Sequence, residues 1–269
     1  GLYHHERVKV LEEIGVETPF GEPSDKILKL ELDKTNFYFL PRHGKNHALS
    51  PSELNYRANI YALKKLGVNT LVSVSAVGSL KENLCPTHFV VPDQFIDWTK
   101  GQRKRTFFEN GIVGHVSCAY PVNETLRKRI QEAIAEPDIH YHGSGTYICI
   151  EGPQFSSRAE SELYRSFGAD VIGMTNVPEA YLAKEAGMAY ATVAMVTDYD
   201  CWKAEHCTLE EIMKVMGANN KSAQQVIKLL VASLGNKPVE FQKENEFAVV
   251  TKKEAILPRH QEILKVLLS

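Results

Sequence analysis

The sequence predicts a single α/β domain over residues 1–269, with a twisted, mixed but largely parallel central sheet flanked by helices. Segments with apolar residues at helical spacing alternate with short β-branched apolar runs along the chain. Small or polar residues follow most of those runs, as expected where strands end in loops. No internal repeat, low-complexity tract or Pro/Gly-rich linker divides the chain.

Phe37-Tyr38-Phe39 reads as the first strand. Ser50-Pro51-Ser52-Glu53 offers a capping serine, a proline at the first helical position and a glutamate three residues on, and Leu54, Ala58, Ala62, Leu63 and Leu66 then recur at helical spacing up to Gly67. Thr70 to Ser75 is a buried strand ending at Ala76-Val77-Gly78-Ser79. Strand character returns at Phe89-Val90-Val91, Phe95-Ile96 and Thr146 to Ile150, and Glu151-Gly152-Pro153 turns into a helix from Arg158 to Phe167. Ala169 to Met174 is a further strand, Pro178 opens a helix that stops at Gly187, and Tyr190 to Thr197 is apolar on both faces. Thr208-Leu209-Glu210-Glu211 caps a long helix to about Leu234. A C-terminal helical tail is expected over about 243–269, with Thr251 to Glu254 as its capping box.

A hydrophobic share of 43% and a charged share of 24% suit a packed globular chain, and a net charge of -2 without long basic runs gives no field for nucleic acid. No stretch approaches the roughly twenty apolar residues that span a bilayer, and Gly1 to His5 is not a signal peptide, so no membrane partner and a cytoplasmic location are expected. The five cysteines lack CxxC spacing and read as reduced thiols, with no metal site expected.

In open α/β sheets ligands gather at the carboxyl ends of strands, which directs attention to the loops after Leu40, Ser75, Ile150, Met174 and Thr197. Arg42, His43, Lys45 and His47 follow the first strand, either as a solvated basic loop or as an anion site in which the arginine fork meets an oxyanion. Ser75-Ala76 and Met174-Thr175-Asn176 add hydroxyls and backbone N–H groups, which is also ordinary turn chemistry. Thr197-Asp198-Tyr199-Asp200 places two carboxylates two residues apart at the end of an apolar strand. They read either as caps for the next segment or as readers of a nitrogen-rich heterocycle, an ionised carboxylate accepting from an exocyclic amine and a protonated one donating to a ring nitrogen.

These segments, with Asn55-Tyr56-Arg57-Ala58-Asn59, Asp93 to Asp97, Phe155-Ser156-Ser157-Arg158-Ala159-Glu160 and Cys201-Trp202, resemble the trimeric purine nucleoside phosphorylase family, and within it the methylthioadenosine-cleaving branch, over roughly residues 1 to 235. The resemblance implies phosphorolysis of 5'-methylthioadenosine to adenine and 5-methylthioribose 1-phosphate, with inorganic phosphate as co-substrate, no other cofactor, and assembly as a homotrimer or a dimer of trimers. It implies phosphate-binding roles for Arg42, His43, Ser75, Ala76 and Thr175, and places Met174 beneath the ribose. Phe155 and Ser156 correspond to the purine wall, and Thr197, Asp198 and Asp200 to the adenine-reading and catalytic segment. His47, Leu209 and Ile212 match the surroundings of the methylthio group, and His115 a residue lent by the neighbouring subunit. Without the resemblance, Leu209 and Ile212 read as helix core and His115 as a strand-edge histidine.

The family pattern begins with a strand and a Gly-Gly-Ser/Thr-Gly phosphate loop, and Gly1-Leu2-Tyr3 matches residues just after it, so further chain is expected ahead of Gly1. Gln154 and Pro86-Thr87-His88 also depart from the pattern, away from the chemistry. The competing expectations are a phosphorylase or hydrolase of other purine nucleosides, and a nucleoside-binding protein that does not catalyse.

Overall fold

The structure, a computed structural model, describes residues 7–203 and 208–269. Strands β1 (Val8–Ile14), β2 (Ile27–Leu32) and β3 (Thr35–Phe39) form an antiparallel sheet of their own. Asp33 and Lys34 both adopt positive φ, 50° and 68°, and make the two-residue turn between β2 and β3.

The larger sheet has seven strands: β4 (Thr70–Ser79), β5 (Phe89–Val90), β6 (Gln94–Trp98), β7 (Tyr141–His142), β8 (Thr146–Ile150), β9 (Val171–Gly173) and β10 (Ala189–Tyr199), in the order β6-β8-β9-β4-β10-β5-β7. Pairs β4/β10, β5/β7, β6/β8 and β8/β9 are parallel, whereas β4/β9 and β5/β10 are antiparallel, which gives the expected mixed, largely parallel sheet.

Helices cover both faces: α1 (Tyr56–Lys65), α2 (Glu124–Ala135), α3 (Arg158–Ser166), α4 (Asn176–Glu185), α5 (Leu209–Asn236) and α6 (Pro258–Leu267). The period-2 geometry of β10 sends Tyr190, Ala194 and Val196 into a core shared with α1, α4 and α6, and Ala189, Ala191, Val193 and Met195 into a second core under α2 and α5. Each large apolar side chain removed from water contributes about 1.5–3 kcal/mol, so a strand buried on both faces is a rigid mount for what lies at its end.

Two helix starts differ from expectation. Ser50 N–H does donate to Glu53 Oε2 at 2.8 Å, but the helix begins six residues later, at Tyr56. Asn55 is held outside it by donating to Phe20 O (2.8 Å) and Glu22 O, and its Oδ1 caps Ala58 N–H instead. Tertiary hydrogen bonds thus outweigh the local capping signal. In the tail, Thr251 Oγ1 accepts from Val113 N–H at 2.7 Å rather than closing a capping box, and only a short 3₁₀ turn at Lys253–Ala255 and α6 are helical. Ile263, Leu264 and Leu267 of α6 pack into the α1/α4 core. Asn245 fastens the tail by donating to Glu185 O and Leu267 O, both at 2.9 Å.

Candidate active site

The loop after β3 brings Arg42 across to β4 and α4. Its Nη1 donates to Ser73 Oγ (2.7 Å) and to both carboxylate oxygens of Glu179 (2.7 and 2.8 Å), and its Nη2 donates to Val74 O (3.1 Å). Burial works against the guanidinium charge, but the charge and hydrogen bond of Glu179, together with Tyr190 and Tyr56, raise its pKa and hold Arg42 firmly protonated. Glu179 in turn accepts from Tyr190 Oη at 2.9 Å. Ser75, at 5% exposure, lies one residue beyond Val74, and Ala76 follows it at the exposed lip of β4. Thr175, also buried, ends the turn after β9, where the helix of α4 begins.

His43 Nδ1 lies 2.9 Å from Leu49 O, and its ring stacks on His47 with centroids 4.6 Å apart. Burial first, and then the charges of Arg42 and His47, depress its pKa, while Leu49 O opposes the fall, so His43 is neutral near pH 7. His47 is exposed, with φ of 52°.

The carboxylates gather at the end of β10. Thr197 Oγ1 is within 2.6 Å of Asp198 Oδ1 and 3.2 Å of Val77 O. Burial, with a smaller push from Asp200, raises Asp198 to about 6 against the pull of the Thr197 hydroxyl. Asp200 is 7% exposed, and its N–H donates to Ser79 O at 2.9 Å. Burial raises its pKa too, opposed by the hydroxyls of Ser161 and Ser156. Asp200 Oδ2, Ser156 Oγ and Ser161 Oγ are buried and make no well-aligned hydrogen bond, although Ser161, the Cys201 backbone and Ser156 lie near enough to Asp200 to lower its pKa. A polar guest could complete this cluster, since a buried group left unpaired costs about 1–3 kcal/mol. Gly78 of β4 passes directly beneath, where an added Cβ would lie 3.6 Å from Asp200 Cβ and 3.7 Å from Asp198 Oδ2.

Met174 packs over Gly152, so closely that any Cβ at that glycine would overlap its sulfur. A further residue, which the sequence presents only as one cation in the run Lys100 to Arg105, ties these loops together. Arg103 is wholly buried and donates through Nη1 to Met174 O and Val177 O (both 2.7 Å), through Nη2 to Glu151 O (2.8 Å), and through Nε to Glu151 Oε1 (2.9 Å). The Glu151 carboxylate also accepts from Ser52 Oγ and from Lys100 N–H. One guanidinium therefore fixes the turns that carry Met174 and the 151–156 segment. Among the described residues, no group of three or more His, Cys, Asp and Glu side chains is arranged to hold a metal ion.

Residues 3–232 match the family model described as the phosphorylase superfamily. The chain belongs to that superfamily. Among curated members, it is 46% identical over 272 residues to the S-methyl-5'-thioadenosine phosphorylase of Geobacter sulfurreducens, covering 100% of this chain and 95% of the relative. It is 52% identical over 225 residues to the enzyme of the same name from Rhodospirillum rubrum, covering 83% of this chain and 76% of that one. Among solved structures, a methylthioadenosine phosphorylase from an antarctic soil metagenomic library superposes with a TM-score of 0.95 at 47% identity, over 100% of this chain and 96% of that one. The methylthioadenosine phosphorylase of Schistosoma mansoni, solved with adenine, gives 0.82 at 36% identity over 85% and 87%.

In this superfamily member the remaining expected site residues lie as follows. Phe155 projects into solvent at 74% exposure beside the half-buried Ser156. Ile212 is half-buried in the first turn of α5; Leu209 opens that helix, but its side chain lies outside the described residues, as do residues 204–207. His115 is exposed next to the isolated bridge between Gly114 and Val249, its N–H donating to Ala248 O at 2.9 Å, so its described contact is with the tail rather than with the carboxylates or Arg42. Among the described residues no helix is long and apolar enough to cross a membrane.

Proposed function

We infer that this chain cleaves 5'-methylthioadenosine with inorganic phosphate, releasing adenine and 5-methylthioribose 1-phosphate. It acts as a pentosyltransferase, in agreement with the names of its curated relatives. The observation that carries the assignment to these residues is the carboxylate pair at the end of β10, half-buried at Asp198 and buried at Asp200, with both pKa values raised by burial.

An ionised Asp198 would accept from the exocyclic amine of adenine. A protonated Asp200 would donate to a ring nitrogen as the glycosidic C–N bond breaks and its electron pair moves into the purine. Phosphate, on the opposite face of the ribose, would meet Arg42, His43, Ser75, Ala76 and Thr175, and one of its oxygens would form the new bond to the anomeric carbon. Positioning and electrostatics then supply the catalysis, with no covalent enzyme intermediate and no cofactor beyond phosphate. Met174 would lie beneath the ribose, and His47 and Ile212 near the methylthio group.

Assembly as a homotrimer is part of the proposal. Val113, Phe247 and Val250 are 53%, 87% and 61% exposed around His115, an apolar surface suited to a second copy of the chain that would receive His115. A cytoplasmic location accords with Cys85, Cys118, Cys149 and Cys201 all being free thiols.

The test is incubation with 5'-methylthioadenosine, with and without phosphate. Adenine should appear only with phosphate, and Asp200→Ala should lower turnover by about 10² to 10⁴-fold with a smaller effect on KM. Release without phosphate would make the chain a hydrolase, and no release a binding protein.

A further inference from the structure

Ser75 lies in β4 and Thr175 lies at the end of the turn after β9, yet the proposed cradle needs both presented to one phosphate. A third element reaches both. Tyr147 of β8 is fully buried, and its hydroxyl lies 3.3 Å from Ser75 Oγ. Burial raises the pKa of that phenol, while the Ser75 hydroxyl and the backbone N–H of Thr175 pull it down. Gly173 admits it: a Cβ at that position would overlap the Tyr147 hydroxyl and ring. The ring is fixed by edge-to-face packing on Phe95, with centroids 5.8 Å apart.

A buried phenol requires a partner for its hydroxyl, and here the available partners are two groups of the cradle. We propose that Tyr147 is a positioning residue for phosphate, its hydroxyl linking the Ser75 side chain to the backbone at Thr175 so that both face one anion. Tyr147 touches neither phosphate nor nucleoside; it acts through Ser75 and Thr175. The proposal rests on the phosphorolysis reading above.

The measurement is steady-state kinetics of the wild type, Tyr147→Phe, Ser75→Ala and the double variant, with phosphate and 5'-methylthioadenosine varied separately and melting temperature recorded for each. Tyr147→Phe keeps the ring and removes one oxygen. It should raise the KM for phosphate about fivefold, the worth of a modest hydrogen bond, while the KM for the nucleoside stays unchanged. The two single effects should be non-additive in the double variant, since both pass through one hydroxyl pair.

An unchanged phosphate KM in Tyr147→Phe beside a raised one in Ser75→Ala would overturn the proposal and leave the phosphorolysis reading standing, as would a parallel rise in both KM values or simple additivity. Cleavage by the wild type that does not depend on phosphate would sink that reading itself, and this proposal with it. Should Tyr147→Phe fail to fold, Gly173→Ala, which drives the hydroxyl away from Ser75, must show the same selective rise, and an unchanged phosphate KM there overturns the proposal equally.

Discussion

Glu185 ends α4 at 8% exposure and accepts from Thr106 Oγ1 and from Phe107 N–H, both at 2.7 Å. Burial raises its pKa from 4.5 to about 7, against the pull of Thr106, Phe107 and Arg57. A folded-state value above the unfolded one means that the native protein holds the extra proton between the two. Its contribution to stability is therefore complete below about pH 4.5 and lost as the pH rises through about 7. The gap corresponds to about 3 kcal/mol, a large share of the stability of a single domain. Glu185→Gln removes the titration and keeps one acceptor, so the variant should be less stable than the wild type near pH 4 by about 1 kcal/mol, the worth of a hydrogen bond. Near pH 8 it should be more stable by about 2 kcal/mol. Urea unfolding at fixed protein concentration across this range, which keeps any contribution of assembly constant, measures the difference. Parallel pH profiles for the two proteins, or a variant less stable at pH 8, would refute the reasoning.

Three further outcomes follow from the site. Adenine binding should weaken as the pH falls through about 6, where Asp198 takes up its proton, and Asp198→Asn should abolish that dependence in a calorimetric titration. Glu179→Ala strands the buried guanidinium of Arg42 and should destabilise the fold by about 3 kcal/mol or more in chemical denaturation, part of which the added change Arg42→Met should restore. Arg103→Met leaves Glu151 buried without its partner and unties Met174, so it should cost about 3–5 kcal/mol and lower turnover in the same preparation.

The central sheet and most of its helices were legible because both cores repeat simple periods: the alternation along β10 and the helical spacing in α1 and α5 survive in the sequence as apolar patterns. The antiparallel β1-β2-β3 sheet was harder to see beyond Phe37 to Phe39. Its hairpin turns on Asp33-Lys34, which lacks the glycine that usually marks two left-handed residues, and β1 is largely exposed. The residues proposed to meet substrate are visible by type and position, since arginine, serine and paired aspartates stand out at strand ends. Their supports are not. Arg103 reads as one charge among Lys100, Lys104 and Arg105, Glu179 as a polar residue on a helix, and Tyr147 as an ordinary aromatic in a buried strand. Only the folded chain turns each toward its partner, at Glu151, Arg42 and Ser75 respectively.

β4 carries Ser75 one residue beyond Val74, whose carbonyl Arg42 reaches, and Gly78 beneath the two aspartates. Three residues of extended chain separate them, roughly 10 Å at about 3.3 Å per residue. Pinned by β10 along one edge, that short length of backbone acts as a gauge: in the proposed reading, the sugar and the near edge of the base must together span about that distance between the anion and the aspartates. Selectivity for a nucleoside over a free base or a longer sugar would then be set by the strand itself, before any side chain discriminates.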